Sequence, residues 1–368
     1  MRLVVAGGGT GGHLFPGIAV AEEFLSRNVA NEVLFVGTEH GIEARVLPRL
    51  GYRLECIVTT GMRGKNRLSQ LKGVVLLLKS YFQSKKIVNE FAPDIVLGVG
   101  GYASGPLMLA ARRFPCRRFI HEQNAEPGFT NKKLASIVDK VFLSLEESSR
   151  FFPAAKTLVT GNPLRKEILQ QVQPGAVKRE GTDTFNLLVF GGSAGAHSIN
   201  VAMIEALPLL RGVSSQLAII HQTGDKDLNE VKEAYCKEGF NAEAHPFIHN
   251  MAEAYHRADL VICRAGATTL AEITACGKAC IFIPFPFATD DHQRKNAEAL
   301  VEKGAGFMLL NRDLTGESLA NMLLELMADP EKLKLAGERA CSLARPDAAR
   351  IIVDAMLDEG RLKAEGRR

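Results

Sequence analysis

The chain has 368 residues, 46% hydrophobic and 23% charged, with a formal net charge of +4, which gives length for about two domains with cores of their own and too little charge for nucleic acid to be the default partner. Its seven cysteines form no CxxC pair and no His/Cys cluster at metal-ligand spacing, which argues against a structural zinc and for a reducing compartment. No apolar run approaches the roughly 18 residues of a membrane span, and LVVA meets Gly7 at once, so no signal peptide is expected.

Residues 3–6 read as a strand that empties into GGGTGGH (7–13). Gly7, Gly9 and Gly12 satisfy GxGxxG between a strand and a helix, and Glu39 past the second strand leaves a dehydrogenase open. Gly8 and Gly11 add bareness that this fingerprint does not need. A tight turn is the bland reading of any one of these glycines; the ensemble reads better as a ligand-facing loop, where glycine lets a ligand approach the backbone and the helix start offers N–H groups. His13 either caps its own loop or serves as a general base, and the residues alone leave both open.

Further strands are expected at 33–36, 95–99, 118–120 and 140–143, each followed by a turn and an amphipathic segment, the rhythm of a parallel sheet covered on both faces. A second glycine loop, GVGGYASGP, spans 98–106. Residues 61–86 hold seven Lys/Arg and no Asp/Glu. There Leu71, Val74, Val75, Leu78 and Phe82 form a stripe suited to packing on the sheet, while Leu76 and Leu77 fall off it beside Lys72 and Lys79. An apolar ridge ringed by lysines is how an interfacial helix meets anionic lipid, and Arg112, Arg113, Arg117 and Arg118 extend the basic rim.

The rhythm breaks near TGNPLRKEI (160–168) and the polar stretch 173–184, then restarts with LLVFGGSAGAHSIN (187–200), a strand feeding a third glycine loop, 191–196. Strands are expected at 217–221, 260–263 and 279–283. The second half echoes the first: an α/β chain of two doubly wound domains whose strand ends can face a cleft. Asp225 and Asp227 form a DxD, better explained as a solvated helix start than as a cation site. In the run 261–297 a helix begins near Thr268 and carries Glu272, which either reads a ribose diol or compensates the helix dipole. Residues 346–362 read as a last helix with Ile351, Ile352 and Met356 on one side.

Together GGTGGHLFPG (8–17), GVGGYASGP (98–106), HEQNAEPGFTN (121–131), GNPLR (161–165), GGSAGA (191–196), FIHNMAEAY (247–255), CRAGATTLAEI (263–273) and PFPFATDDHQRKNA (284–297) resemble the lipid I N-acetylglucosaminyltransferases of peptidoglycan synthesis, glycosyltransferase family 28. That resemblance implies the GT-B architecture, two Rossmann-like doubly wound parallel-sheet domains: an acceptor and membrane-binding domain over 1–162, a UDP-GlcNAc-binding domain over 163–344, and a C-terminal helix over 345–368 that packs back on the first. It implies an inverting transfer of GlcNAc from UDP-GlcNAc to lipid I, giving lipid II, by a peripheral enzyme on the cytoplasmic face of the inner membrane. Its partners would be an anionic membrane surface and other cell-wall or division proteins.

By resemblance, Thr10, Gly11 and Gly12 touch the sugar and Asn124 reaches it across the cleft. Arg165 and Ser193 address the diphosphate, Ile248 the uracil through its backbone, and Glu272 the ribose. Ala267, Thr268, Thr269, Leu270 and Ala271 supply helix-end contacts to phosphate, and Gln293 binds GlcNAc hydroxyls. His13 is the candidate base, with Glu122 second; no metal or other cofactor is expected. A UDP-GlcNAc 2-epimerase, which should carry more carboxylates in its cleft, is the alternative enzyme, and a non-catalytic nucleotide-binding module at the membrane is the alternative outside enzymes.

Overall fold

A computed structural model describes residues 1–59, 67–172, 184–192 and 195–365, the side chains of 67–74, 171–172 and 359–365 excepted. The chain divides into two compact units, Met1–Arg165 with Arg345–Arg368, and Lys166–Ala344. In unit 1, strands β1 (Arg2–Ala6), β2 (Glu32–Gly37), β3 (Arg53–Cys56), β4 (Ile95–Gly98), β5 (Arg117–Glu122), β6 (Lys140–Leu143) and β7 (Thr157–Val159) form one parallel sheet in the order β3-β2-β1-β4-β5-β6-β7. In unit 2, β8 (Phe185–Phe190), β9 (Leu217–Gln222), β10 (Asn241–His245), β11 (Leu260–Cys263), β12 (Ala279–Phe282) and β13 (Phe307–Met308) form a second parallel sheet in the order β10-β9-β8-β11-β12-β13. Strand order reverses between β1 and β4 in unit 1 and between β8 and β11 in unit 2, and ligands of open α/β sheets bind where that reversal leaves a crevice.

Both faces of each sheet are covered, which is why the strands are nearly continuous apolar runs. On β1, Leu3 and Val5 point to one face and pack with Leu14, Ile18 and Phe24 of the helix Gly11–Ser26, and with Ile352, Val353 and Met356 of the helix Ala348–Glu365. Val4 and Ala6 point to the other, against Val88, Phe91, Leu107 and Met108. The last helix thus belongs to unit 1 although the whole of unit 2 separates them in sequence.

The helix Arg67–Phe91 corrects the expected burial. Val75, Leu78 and Phe82, assigned above to the core-facing stripe, are 61%, 55% and 63% exposed, Leu77 is 40% exposed, and Leu76 is half-buried. The buried face carries Ser80, Ser84, Val88 and Phe91 instead, and the Ser80 hydroxyl donates to the Val58 and Leu76 carbonyls. Over residues 75–84 the small hydroxyl residues face inward and Val75, Leu77, Leu78 and Phe82 stay out, the reverse of what hydrophobicity alone predicts. Lys79 is exposed; Leu71, Lys72 and Val74 lie outside the residues whose side chains are described. Of the expected basic rim, Arg112 and Arg113 are exposed. Arg117 instead bonds the Met356 carbonyl and Arg118 the Ile137 carbonyl, so both are half-buried ties within unit 1. Among the described residues, no helix is long and apolar enough to cross a membrane.

Candidate active site

The switch point of unit 1 brings two glycine loops into backbone contact. A Cβ on Gly101 would lie 2.5 Å from the Gly8 carbonyl oxygen, and one on Gly100 would lie 2.6 Å from His13 Nδ1. Gly100 also has φ +96°, a conformation that side chains rarely adopt. Glycine here lets His13 lie on the second loop. Thr10 is the exposed N-cap residue of the helix Gly11–Ser26, and Gly11 and Gly12 form its half-buried first turn.

His13 is half-buried, and its Nδ1 lies 3.2 Å from Gln123 Oε1. The Gln123 amide nitrogen donates to the Val99 carbonyl at 2.8 Å and faces His121 Nδ1 at 3.1 Å. A carbonyl can only accept, so Oε1 is the end of Gln123 that meets His13, and His13 Nδ1 must carry the hydrogen. That tautomer leaves Nε2 with its lone pair. His121, which also faces the Gly161 carbonyl, is wholly buried, and burial lowers its pKa to about 4.

Glu122 is spent on its own loop. Its Oε1 accepts from the Asn124 amide (3.0 Å) and side chain (3.3 Å), and its Oε2 from the Gly128 amide (3.2 Å) and Asn131 (2.8 Å). Burial nevertheless raises its pKa. Asn124 is thereby fixed at the loop tip, half-buried.

Glu43 was not singled out from sequence. It is fully buried, and its Oε2 accepts from the Gly9 amide at 2.7 Å while Oε1 accepts from the Thr38 amide and hydroxyl at 2.9 and 2.8 Å. A Cβ on Gly8, Gly37 or Gly41 would come within 2.4, 2.5 and 2.1 Å of its side chain. The signal was available: two glycines and two acids crowd into GTEHGIE (37–43) at the end of a strand. The acid that matters is this one, whereas Glu39 is exposed. The Gly7 amide donates to the Val36 carbonyl at 3.0 Å, so two of the amides expected to line a ligand site are engaged within the fold. Arg165 is half-buried and stacks its guanidinium 5.4 Å from the centre of the Phe15 ring.

In unit 2, the helix Ala267–Cys276 begins at the switch point, after β11. It opens on Gly266 with no side-chain cap and no acidic residue in its first turn, so its positive end is not compensated locally. Ala267, Thr268, Thr269 and Ala271 are half-buried and Leu270 is buried. Glu272 is 4% exposed and accepts from the Tyr255 hydroxyl at 3.0 Å. Arg264, 9% exposed, gathers the loops around this helix: it donates to the Ile283 and Pro284 carbonyls, to Asn311 at 2.9 Å and to Ser198 at 2.8 Å. Burial lowers its pKa to about 10.

Gln222 joins the third glycine loop to Ile248, donating to the Gly192 carbonyl and accepting from the Ile248 amide, both at 2.7 Å. The half-buried Gln293 accepts from the Phe285 amide at 3.0 Å. Asp290 and Asp291, just before it, both have positive φ (53° and 56°), strain that fixes the turn presenting Gln293. Asp227 is held by Asn200 (2.7 Å) and His197 (3.0 Å). Among the described residues, no group of three or more His, Cys, Asp or Glu side chains is placed to hold a metal. Ser193 lies outside the described residues.

Residues 3–143 match the glycosyltransferase family 28 N-terminal domain and residues 186–352 the family's C-terminal domain. The chain is 62% identical over 359 residues, 98% of its own length and 98% of the relative's, to a Geotalea uraniireducens protein named UDP-N-acetylglucosamine--N-acetylmuramyl-(pentapeptide) pyrophosphoryl-undecaprenol N-acetylglucosamine transferase. Among solved structures it is similar to Acinetobacter baumannii MurG, with a TM-score of 0.79 and 32% identity over 97% of this chain and 99% of that one. UDP-GlcNAc 2-epimerase from Neisseria meningitidis gives a TM-score of 0.65 at 13% identity over 97% of this chain and all of its own (100%), a likeness of fold alone.

Proposed function

The chain belongs to glycosyltransferase family 28, and we infer its reaction from that membership and from relatives matched along its whole length. It transfers N-acetylglucosamine from UDP-GlcNAc to the C4 hydroxyl of the N-acetylmuramyl sugar of lipid I, giving lipid II for peptidoglycan synthesis. The acceptor oxygen attacks C1, the bond from C1 to UDP breaks with inversion, the hydroxyl proton moves to a base, and UDP keeps the electron pair.

His13 is the base of this reading. The observation that carries it is the chain from the Val99 carbonyl through Gln123 to His13 Nδ1, which leaves Nε2 as acceptor. Glu122 fits the role less well because four donors already occupy its two oxygens. Charge on departing UDP is absorbed by the uncapped helix Ala267–Cys276 and by the Arg165 guanidinium. Glu272 takes the ribose, Gln293 the sugar, and the 248 region the uracil.

No divalent cation enters this mechanism. Support comes from Asp227, whose carboxylate is already engaged, and from the uncapped start of the helix Ala267–Cys276, whose positive end suits a diphosphate. Labelled GlcNAc from UDP-GlcNAc should appear in a butanol-extractable product when a lipid I analogue is supplied, at the same rate with and without EDTA. Loss of incorporation in EDTA would overturn the metal-free mechanism, and label that stays water-soluble would overturn the acceptor.

The acceptor is a membrane lipid, and the exposed face Val75–Leu78–Phe82 with Lys79, Lys85 and Lys86 is where this reading places anionic lipid, on the cytoplasmic side of the inner membrane.

A further inference from the structure

Gln222 is the last residue of β9, and the sheet register decides what its side chain can reach. It pairs with Phe190 at the end of β8 on one side and with His245 at the end of β10 on the other. Loops that leave neighbouring parallel strands emerge at the same edge of the sheet. Gln222 therefore stands between the third glycine loop, which follows β8, and the segment holding Ile248, which follows β10. It is 2% exposed and uses both ends of its amide there: Nε2 donates to the Gly192 carbonyl and Oε1 accepts from the Ile248 amide, both at 2.7 Å. The Gly192 carbonyl also accepts from the Gly195 amide at 3.0 Å, so the glutamine grips a turn that the loop itself closes.

The two partners demand opposite chemistry. A carbonyl only accepts and a backbone N–H only donates, so the side chain between them must donate at one atom and accept at another. Glutamine does this without charge. Leucine does neither, and an ionised glutamate would set an oxygen against the Gly192 carbonyl. A protonated glutamic acid restores the pattern, because its O–H donates while its other oxygen accepts. Burial favours that neutral form by raising the pKa of a carboxyl group.

We propose that Gln222 is a positioning residue for donor recognition: its amide fixes the segment assigned to uracil against the glycine loop assigned to the diphosphate, so that both are met at one separation. This rests on the reading of residue 248 and its neighbours as the uracil site, and the test separates the two. UDP and CDP, which differ only at N3 and C4 of the base, are titrated calorimetrically into the wild-type protein, Gln222→Leu and Gln222→Glu. The wild type should prefer UDP. Gln222→Leu should bind UDP about ten-fold more weakly, the size expected for one or two lost hydrogen bonds, and its preference for UDP over CDP should shrink. Gln222→Glu should regain UDP affinity, relative to the wild type, as the pH is lowered from 9 to 6.5.

Equal weakening for both nucleotides in Gln222→Leu would make Gln222 a packing residue and overturn the proposal, as would no weakening for either. A pH profile of Gln222→Glu parallel to that of the wild type would overturn it too, and decides alone if Gln222→Leu does not fold. Photolysis of bound 4-thio-UDP in the wild type should label the peptide that contains residues 247–249. Label placed elsewhere would remove the uracil reading itself. With the label there and the base preference of Gln222→Leu unchanged, only the positioning role falls.

Discussion

His13, Gln123 and Glu43 show how single side chains turn a glycine-rich strand end into a site. Gln123 acts as an orienting group: its amide nitrogen is committed to the Val99 carbonyl, so its oxygen dictates which nitrogen of His13 is protonated. His13→Ala should keep UDP affinity and lose at least about a hundred-fold in kcat, the lower bound for general-base catalysis; unchanged turnover would remove His13 from that role. Glu43 works from beneath the loop. In Glu43→Gln one amide N–H must face either the Gly9 or the Thr38 amide, donor against donor, at a cost of about 1–3 kcal/mol. Urea unfolding should show that loss, and an unshifted midpoint would mean that the contacts to Glu43 do not hold the loop. Glycine spacing made the loop legible from sequence. The carboxylate under it was not, because a buried acid looks like any helix-start glutamate until the glycines that make room for it are seen in space.

Among the elements, central strands were the most legible and edge strands the least. Residues 3–6 and 260–263 are apolar because both faces are covered, whereas β10 reads NAEAH and β7 only TLV, pairing on one side and half-exposed. Helix faces were harder still. In Arg67–Phe91 the large apolar residues suggested one stripe, but the close contact is made by Ser80 and Ser84. Short side chains allow the tight approach, and the bulky residues are left outside. Leu77 is exposed as expected, Leu76 is half-buried, and Val75, Leu78 and Phe82 join Leu77 on the exposed side. Leu78→Glu with Phe82→Glu should weaken binding to anionic vesicles at least ten-fold, since each side chain contributes about 1.5–3 kcal/mol when buried in an apolar medium. Undiminished vesicle binding by this folded variant would exclude that face.

For the whole molecule, the buried histidines set an acid limit. Burial lowers His121 to about 4 and His221 to about 3, below the ordinary 6.5. As pH falls through 6.5 the unfolded chain takes up protons that the folded chain refuses, so stability is complete above that value and declines toward pH 4. His121 alone contributes a loss on the order of 3 kcal/mol across that interval. Thermal melts from pH 7.5 to 4 should show the decline, and a flat melting temperature would contradict it. The doubly wound plan was readable from the repeated passage of strand into glycine loop. That residues 345–368 complete unit 1 was implied by the family resemblance, while the residues themselves offered only three apolar positions.

The placement of Ile352, Val353 and Met356 in the same apolar cluster as Phe24 and Leu3 has a consequence for biosynthesis. When translation has delivered residue 165, the first sheet still lacks the cover that those three side chains provide, and almost two hundred more residues must emerge before it arrives. At the usual ribosomal pace of about 5–20 residues per second, the nascent N-terminal half waits roughly ten to forty seconds with a sticky groove uncovered. The later half, contiguous in the chain, has no such wait. Chaperone engagement should therefore concentrate on the half made first.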